Sequence, residues 1–233
     1  MSNGIKVKKR NGRGTEALNL EKMHKMVDEA TQGLAGVSAS QVEIQSGIQF
    51  YDGITTAEIQ EILIKSASDL IDLDHPNYQF VAARLLLFSI RKSLYGRSRE
   101  LPQLEDHIVK CVSQEVYDGD IYSKYSKEDI EKANGYIDHN RDFLFTYAGL
   151  RQVVDKYLVQ DRSTGQVYET PQFMYMMIAL TIFAEYPKET RLNYVKRYYD
   201  AISKHKINIP TPIMAGVRTP IRQFASCVLV DAD

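Results

Sequence analysis

The segment "INIPTPIMAGVRTPIRQFASCVLV" places one thiol, Cys227, among groups that can bind a sugar or a phosphate. Thr211 and Ser226 supply hydroxyls, and three prolines stiffen the predicted loop, which reduces the entropy lost when a ligand is held. Arg218 or Arg222 would lower the pKa of the thiol if either lay close to it. The alternative is that Cys227 is a small hydrophobic residue at the start of a buried strand.

A second candidate site is the basic segment near the amino terminus. Four cations flank an Asn-Gly pair at residues 11–12: Lys6, Lys8, Lys9 and Arg10. Asn-Gly predicts a tight turn, and the N–H groups of a turn between fixed cations can cradle a phosphate. Lys22 falls in the first turn of the next predicted helix, where a bound phosphate would balance its charge. A solvated basic edge strand that prevents aggregation would give the same pattern.

Generic motifs do not indicate a nucleotide site, because neither GxxxxGK[ST] nor GxGxxG occurs in the sequence. The net charge of the chain also does not indicate a polyanionic partner. The formal charge of the 233 residues is -1, which favours neither nucleic acid nor an anionic membrane surface. An anion site must therefore be local.

The elements before residue 96 are predicted to be a β-hairpin and about four helices. Residues 5–9 alternate between apolar and basic side chains, as a half-buried strand does, and "TEALNL" reads as its partner or as an extended lead-in. Asn19 is expected to cap a first helix that ends at Gly36. Two capping boxes predict the next two helices: Ser40 with Glu43, and Thr55 with Glu58. The fourth helix is predicted from about Tyr78 to Tyr95, before Gly96.

The rest of the chain is predicted to be mainly helical from residue 100 to 205. "YLVQDRSTGQVYET" interrupts it with two strand-like pieces, which predict a hairpin around Ser-Thr-Gly. Thr170 and Pro171 suit the N-cap and first position of an apolar helix. That apolar run, 173–184, is shorter than the ~20 residues of a bilayer span, so a buried helix is predicted. Another helix is expected over about 188–205.

Cysteine content and the amino terminus indicate the compartment. Two cysteines, Cys111 and Cys227, do not make a disulfide scaffold, and they fit a reducing environment. "MSNGIKVKKRNGRG" has no apolar stretch and does not read as a signal peptide. We therefore expect a cytoplasmic protein, in the host cytoplasm if the source is viral, without membrane or nucleic-acid partners.

Three segments resemble the ATP-cone, the regulatory module of many ribonucleotide reductase large subunits: "VKKRNGRGTEALNLEKMHKMV", "YDGITTAEIQEILIKSASDLI" and "YQFVAARLLLFSIRKSLYG". The resemblance implies that ATP activates and dATP inhibits at this module, with Mg²⁺ accompanying the nucleotide. It also implies these effector contacts: Lys9, Glu16, Ala17, Leu18, Asn19, Leu20, Glu21, Lys22, Thr56 and Lys92. Gln60 stands where a histidine is common, and Ser89 is a further departure from the pattern.

"IPTPIMAGVRTPIRQFASCVLV" is similar to the substrate-site signature of the same large subunits, with Ile209 and Ala225 as mild departures. The resemblance favours the class that reduces ribonucleoside diphosphates with a radical-generating small subunit. It gives Cys227 the role of one redox-active thiol, which assists departure of the ribose 2′-hydroxyl and ends in a disulfide. Thr211 and Ser226 are implied to hold the substrate, whereas Cys111 is expected to be structural. The chain is implied to have no metal ligands of its own.

The resemblance implies a mainly α fold in three parts. These are an ATP-cone over 5–96, a helical reductase domain over 97–208, and over 209–233 the substrate loop with the first strand of an incomplete ten-stranded α/β barrel. The missing partner thiol implies that the chain is one half of a split large subunit or a truncated fragment. Implied partners are the carboxyl-terminal half of the large subunit, the small subunit, and thioredoxin or glutaredoxin.

Two other classes of function stay open on the sequence. The first is a stand-alone nucleotide-sensing module without catalysis, which would not need the "PTPIMAG" segment or Cys227. The second is a nucleic-acid-binding regulator, which is weaker because neither a basic helix nor a net positive charge supports it.

Overall fold

A computed structural model describes residues 5–9, 14–221 and 223–227. Within these residues the chain is mainly helical, with one two-stranded sheet. The described residues form two compact units. The first unit comprises the described residues within Met1–Ser93 and Phe143–Arg151, and the second comprises those within Leu94–Asp142 and Gln152–Asp233. The predicted division at residues 96 and 208 stays a prediction.

The sheet of the first unit is an antiparallel hairpin, as predicted. Strand β1 (Lys6–Lys8) pairs with β2 (Thr15–Ala17), with Lys6 opposite Ala17. Val7 is buried and the flanking lysines are exposed, because successive side chains of a strand point to opposite faces. The Asn-Gly turn predicted at residues 11–12 lies outside the described residues.

The structure differs from the prediction at the end of the first helix and at the start of the second. Helix α1 (Leu20–Thr31) is capped by Asn19, as expected, but it ends before Gly33, whose φ of +74° breaks the helix. Arg84 satisfies the carbonyl groups at that end by donating to Ala30 O at 3.1 Å and Gln32 O at 2.8 Å. The expectation of an end at Gly36 was therefore wrong.

Helix α2 (Ala39–Gly47) is capped by Ser38, whose hydroxyl accepts from the backbone N–H of Gln41 at 3.4 Å. The predicted capping box at Ser40 and Glu43 was wrong, because Ser40 already lies in the first turn. Two serines two residues apart offer the same local signal, and only the chain's path selects between them.

The capping box before helix α3 (Thr56–Asp69) is confirmed: Thr55 Oγ1 accepts from Glu58 N at 3.1 Å, and Glu58 Oε2 accepts from Thr55 N at 2.8 Å. Helix α4 (Tyr78–Tyr95) ends before Gly96, which has a φ of +73° as expected of a residue after a helix. The first unit's core includes fully buried apolar side chains from all four helices: Val27, Val42, Leu63, Val81, Leu85 and Leu87.

The second unit is built from short helices around one apolar helix. Its helices, with α8 shared between the units, are α5 (Leu104–Ser113), α6 (Ile121–Lys124), α7 (Lys127–Asn134), α8 (Tyr147–Lys156), α9 (Pro171–Ile182), α10 (Lys188–Ser203) and α11 (Thr211–Gly216); a 3-10 helix spans His139–Leu144. Helix α9 is buried from Pro171 to Leu180, begins after Thr170 as predicted, and packs against α10 and α11. Among the described residues, no helix is long and apolar enough to cross a membrane.

The hairpin predicted around Ser-Thr-Gly is present in a short form: Gln160 and Val167 make an antiparallel bridge, Asp161 N donates to Gln166 O at 2.9 Å, and Tyr168 N donates to Val159 O at 2.9 Å. Another predicted feature of the second unit, the loop at "TPIMAG", was wrong. The "TPIMAG" loop is instead helix α11, in which Pro212 occupies the first turn, where a missing N–H breaks no hydrogen bond.

The predicted barrel strand falls mostly outside the described residues. Residues 223–227 form no helix or strand, and 228–233 are not described. The strand therefore stays a prediction.

Candidate functional sites

A cavity of about 180 Å³ lies in the first unit, beside the hairpin and the start of α1. Strands β1 and β2, the first turns of α1, the start of α3 and the last turn of α4 supply its walls. The lining residues are Val7, Glu16, Ala17, Leu18, Asn19, Lys22, Met23, Met26, Thr56, Ile59, Gln60 and Lys92.

Backbone hydrogen bonds fix the hairpin against the start of α3. Gly53 N donates to Lys6 O at 2.8 Å, and Lys8 N donates to Ile54 O at 2.9 Å. The loop before α3 therefore runs beside β1 and brings Thr56 to the cavity. At the opposite wall, Asn19 Oδ1 accepts from Lys22 N at 2.8 Å and fixes the beginning of α1.

The cavity carries more positive than negative charge. Lys22 and Lys92 line it, and Lys9 Nζ lies 3.0 Å from Glu16 Oε2. The hydrogen bond from Lys9, with the charges of Lys9, Lys22 and Lys92, lowers the pKa of Glu16. A carboxylate acceptor thus lies among cations that can bind an anion.

The floor of the cavity is more apolar. Met23, Met26 and Ile59 contribute flexible or apolar surface that can pack against a flat ring. Gln60 is buried, and its Nε2 lies 3.3 Å from Met26 Sδ and 3.4 Å from Leu85 O. The combination of a charged wall and an apolar floor suits a ligand with an anionic end and an aromatic end.

Seven of the predicted effector residues line the cavity: Glu16, Ala17, Leu18, Asn19, Lys22, Thr56 and Lys92. Lys9 does not line it but pairs with Glu16. Leu20 and Glu21 are exposed helix residues off the lining, because each step along a helix turns the side chain by about 100°.

The apolar floor of the cavity was not predicted from the sequence. Met23 and Met26 follow Asn19 and Lys22 at helical spacing, and Ile59 follows Thr56 by three positions. That spacing was the available signal, since residues three or four apart share one helix face.

The predicted substrate residues lie in the second unit and are all exposed: Thr211, Ser226 and Cys227. Thr211 is the first residue of α11, and its hydroxyl hydrogen-bonds the phenol of Tyr157, which lowers the pKa of Tyr157. Ser226 Oγ lies 3.7 Å from Cys227 Sγ. Thr211 therefore lies close to Tyr157, and Ser226 lies close to Cys227.

Arg218 does not have the role that the sequence suggested. Its side chain is fully buried and pairs with the equally buried Glu169, so it does not present its charge to an exposed thiol. Arg222 lies outside the described residues. Cys111 is also buried, and burial, followed by the charge of Glu169, raises its pKa to about 12. A protonated buried thiol fits the expected structural role.

No group of three His, Cys, Asp or Glu side chains that could hold a metal ion occurs in the part of the chain that the structure describes.

Two family descriptions match the sequence. Residues 5–93 match the ATP cone domain, and residues 143–222 match the ribonucleotide reductase all-alpha domain. The first match contains every residue that lines the cavity, and the second contains Thr211, Arg218 and Glu169.

Similar proteins share these regions. The chain is 52% identical, over 99% of its length, to ribonucleoside-diphosphate reductase 1 subunit alpha of Escherichia coli K12. It is 51% identical to the subunit alpha of Haemophilus influenzae over 100% of its length, and 44% identical to that of Enterobacteria phage T4 over 94%. It covers 30%, 31% and 28% of these three relatives respectively.

The chain therefore contains an ATP cone domain and a ribonucleotide reductase all-alpha domain, and it matches ribonucleoside-diphosphate reductase alpha subunits over about 30% of their length.

Proposed function

We propose that the chain is the effector-binding and partial active-site portion of a ribonucleoside-diphosphate reductase large subunit. The observation that carries this proposal is the cavity of the first unit, whose cationic wall and apolar floor lie within the residues that match the ATP cone domain. The sequence identity of 52% and 51% to two ribonucleoside-diphosphate reductase alpha subunits supports the assignment to a reductase large subunit.

The cavity binds a nucleoside triphosphate as effector. Lys22 and Lys92 contact the phosphates, with Lys9 available once its contact with Glu16 exchanges for one with the ligand. Glu16 and Asn19 form hydrogen bonds with the ribose and the base, in which the Glu16 carboxylate is an acceptor. Thr56 lines the cavity beside the hairpin. The backbone of Ala17, Leu18, Leu20 and Glu21 completes the site.

ATP activates and dATP inhibits through this cavity, and Mg²⁺ accompanies the triphosphate. Phosphate oxygens and water are ligands that Mg²⁺ prefers, so the ion does not require a protein cage. Gln60 lies in the floor, where its buried amide contributes to distinguishing effectors.

Cys227 is one of two thiols that reduce the ribose. A thiyl radical elsewhere in the assembly removes the 3′ hydrogen, and the 2′ carbon–oxygen bond then breaks. The 2′-hydroxyl leaves as water and hydrogen replaces it, while Cys227 and a second thiol give up two electrons and two protons to form a disulfide. The 3′ hydrogen then returns to the 3′ carbon, which restores the thiyl radical. Thr211 and Ser226 hold the ribonucleoside diphosphate during this step.

The reaction requires the remaining part of the large subunit, on the same or another polypeptide, and a radical-generating small subunit. Thioredoxin or glutaredoxin reduces the disulfide after each turnover. The partner thiol must approach Cys227 to a Cα–Cα distance of about 4.4–6.8 Å, the range in which a disulfide forms without strain.

The test is a Cys227→Ser variant in the complete reductase assembly, with Cys111→Ser as a matched thiol control. We expect Cys227→Ser to abolish deoxyribonucleotide formation and to leave the ATP affinity unchanged, and Cys111→Ser to retain activity. Turnover that survives in Cys227→Ser at the wild-type rate would contradict the catalytic role and leave a nucleotide sensor.

A further inference from the structure

Four aromatic side chains of the second unit form a cluster where the chain turns from α9 into α10. Phe183, the residue that ends α9, is the centre of the cluster. The ring of Tyr186 lies edge-on to the Phe183 ring with centroids 5.0 Å apart, and the ring of Tyr194 stacks on it at 5.8 Å. The ring of Tyr198 lies edge-on to Phe183 at 5.5 Å. We call these four side chains the aromatic patch.

The aromatic patch lies outside the core of the second unit. Tyr194 and Tyr198 are four positions apart and therefore share one face of α10, whereas Val195 and Tyr199 of the adjacent face are buried. Tyr186 is 44% exposed and Tyr194 is 40% exposed. Because clustered exposed rings are unusual on a monomer surface, such a patch indicates a site of contact with another part of an assembly.

The phenol groups of the patch are available to a partner. Within the part of the chain that the structure describes, Tyr186, Tyr194 and Tyr198 form no hydrogen bond through their hydroxyls. By contrast, Tyr125 and Tyr199, in the core of the same unit, each donate to an oxygen atom. An apolar ring that carries an unused hydroxyl donor is what tyrosine contributes to protein interfaces.

The charge beside the patch favours an acidic partner. Arg197 follows Tyr194 by three positions, is exposed, and forms no ion pair with any described residue. The nearby carboxylates are already engaged, since Lys124 Nζ lies 2.6 Å from Glu185 Oε1 and Asp200 contacts other cations. An incoming carboxylate can therefore pair with Arg197, whereas an incoming cation would be repelled from the rings.

We propose that the aromatic patch is a docking surface for the remaining part of the large subunit, through a segment in which a carboxylate lies beside an apolar side chain. The carboxylate pairs with Arg197, the apolar side chain packs on the rings, and the phenols donate hydrogen bonds to the segment. The identity of the partner rests on the proposed function.

Two observations favour this partner over others. The chain covers 30% and 31% of two reductase alpha subunits, so most of a large subunit of that length is available to cover the patch. Permanent interfaces are also more apolar than transient ones, and four clustered rings fit a permanent contact better than a brief encounter with a reductant such as thioredoxin.

Hydroxyl-radical oxidation followed by mass spectrometry tests the proposal, because it measures the exposure of individual tyrosines. The 233-residue chain alone is compared with the complete large subunit, with a tyrosine peptide as the standard for radical dose. We expect Tyr186 and Tyr194 to be oxidised at least ~10-fold more slowly in the complete subunit, since the centre of an interface excludes water. Equal rates in the two samples would overturn the proposal.

Two further outcomes would assign the patch to a different partner and also overturn the proposal. One is protection that appears only after the small subunit is added. The other is protection in the isolated chain that increases with its concentration, which would indicate a second copy of this chain.

A charge reversal tests the carboxylate. Arg197→Glu should reduce the protection of Tyr194 in the complete subunit roughly 5-fold or more, because a buried like-charge contact is costly. Lys206→Glu, at an exposed lysine beyond the end of α10, is the matched control and should leave the protection unchanged. Both variants reverse one exposed charge, and thermal unfolding of each isolated chain checks that the fold is intact. Full protection of Tyr194 in Arg197→Glu would show that no carboxylate pairs with Arg197.

The outcomes distinguish this inference from the proposed function. A large subunit that assembles and turns over while Tyr194 stays exposed would contradict the docking surface alone. Failure of the chain to associate with the remaining part of a large subunit would contradict the proposed function and the docking surface together.

Discussion

The Nε2 atom of His107 lies 3.1 Å from the hydroxyl oxygen of Tyr117, in the buried interior of the second unit. Because Tyr117 donates its proton to Glu169, its oxygen accepts from His107, which assigns the imidazole proton to Nε2. Nδ1 is then the acceptor that lies 3.4 Å from the Tyr95 hydroxyl. The neutral ring also stacks on Phe173 with centroids 4.2 Å apart.

We expect the buried imidazole of His107 to make the fold less stable in acid. Burial lowers its pKa from 6.5 to about 3, so below pH 6.5 the unfolded state binds a proton that the folded state does not. Its contribution is fully present above pH 6.5 and is lost at about 1.4 kcal/mol per pH unit as the pH falls toward 3. We expect urea unfolding of wild type to lose about 2 kcal/mol more between pH 7.5 and pH 5 than His107→Gln does. Equal losses in the two proteins would show that His107 is protonated in the fold.

His24 predicts the opposite pH dependence. The hydrogen bond to Glu43, with Nδ1 2.7 Å from Oε1, raises the pKa of His24. The contact therefore stabilises the fold below pH 6.5 and is lost as the pH rises through the higher folded pKa. Wild type should exceed His24→Gln in melting temperature at pH 5.5 and match it at pH 9. A difference that grows with pH would contradict this assignment.

Tyr117→Phe should destabilise the second unit by about 2 kcal/mol at neutral pH, because Glu169 loses a donor and His107 loses an acceptor in a site without water access. Tyr122→Phe removes a phenol that is 43% exposed and should cost less than about 0.5 kcal/mol. Chemical denaturation measures both. A cost for Tyr117→Phe as small as that of the control would mean that the hydrogen bonds are replaceable.

Thr55→Ala should reduce stability by about 1 kcal/mol, because it removes the hydroxyl that accepts from Glu58 N at the start of α3. Thr55→Ser keeps that acceptor and should stay within about 0.5 kcal/mol of wild type. Thermal unfolding compares the three proteins. Equal destabilisation by both substitutions would indicate that the methyl group, and not the cap, matters.

Features set by nearby residues were predictable from the sequence. Each of these signals acts within one helical turn: Asn19 before α1, Thr55 with Glu58, Gly96 after α4, and Pro171 at the first position of α9. The same locality explains the errors. Ser38 and Ser40 give equivalent capping signals, and Gly33 and Gly36 give equivalent signals for the end of α1. Arg84, which satisfies the carbonyls before Gly33, lies more than fifty residues further along the chain.

In the candidate sites, too, residues with a local sequence signal were predictable and residues placed by long-range packing were not. Lys22 and Thr56 were predictable because they fall at helix starts beside a recognisable motif, whereas the floor at Met26 and Gln60 requires the packing of two helices. The pairing of Arg218 with Glu169 spans 49 residues, and neither residue carries a local signal for it. The closeness of Arg218 to Cys227 in the sequence was therefore a poor guide to the surroundings of the thiol.

The proposed effector role requires that the cavity of the first unit binds a nucleotide. Calorimetric titration of ATP into wild type, Lys22→Ala and Lys25→Ala tests it, because both lysines are exposed residues of α1 but only Lys22 lines the cavity. Loss of a charge-assisted contact of about 1.5–3 kcal/mol predicts a Kd roughly 10- to 100-fold higher for Lys22→Ala, with Lys25→Ala equal to wild type. Absence of ATP binding by the wild type, or equal weakening in the two variants, would contradict the account.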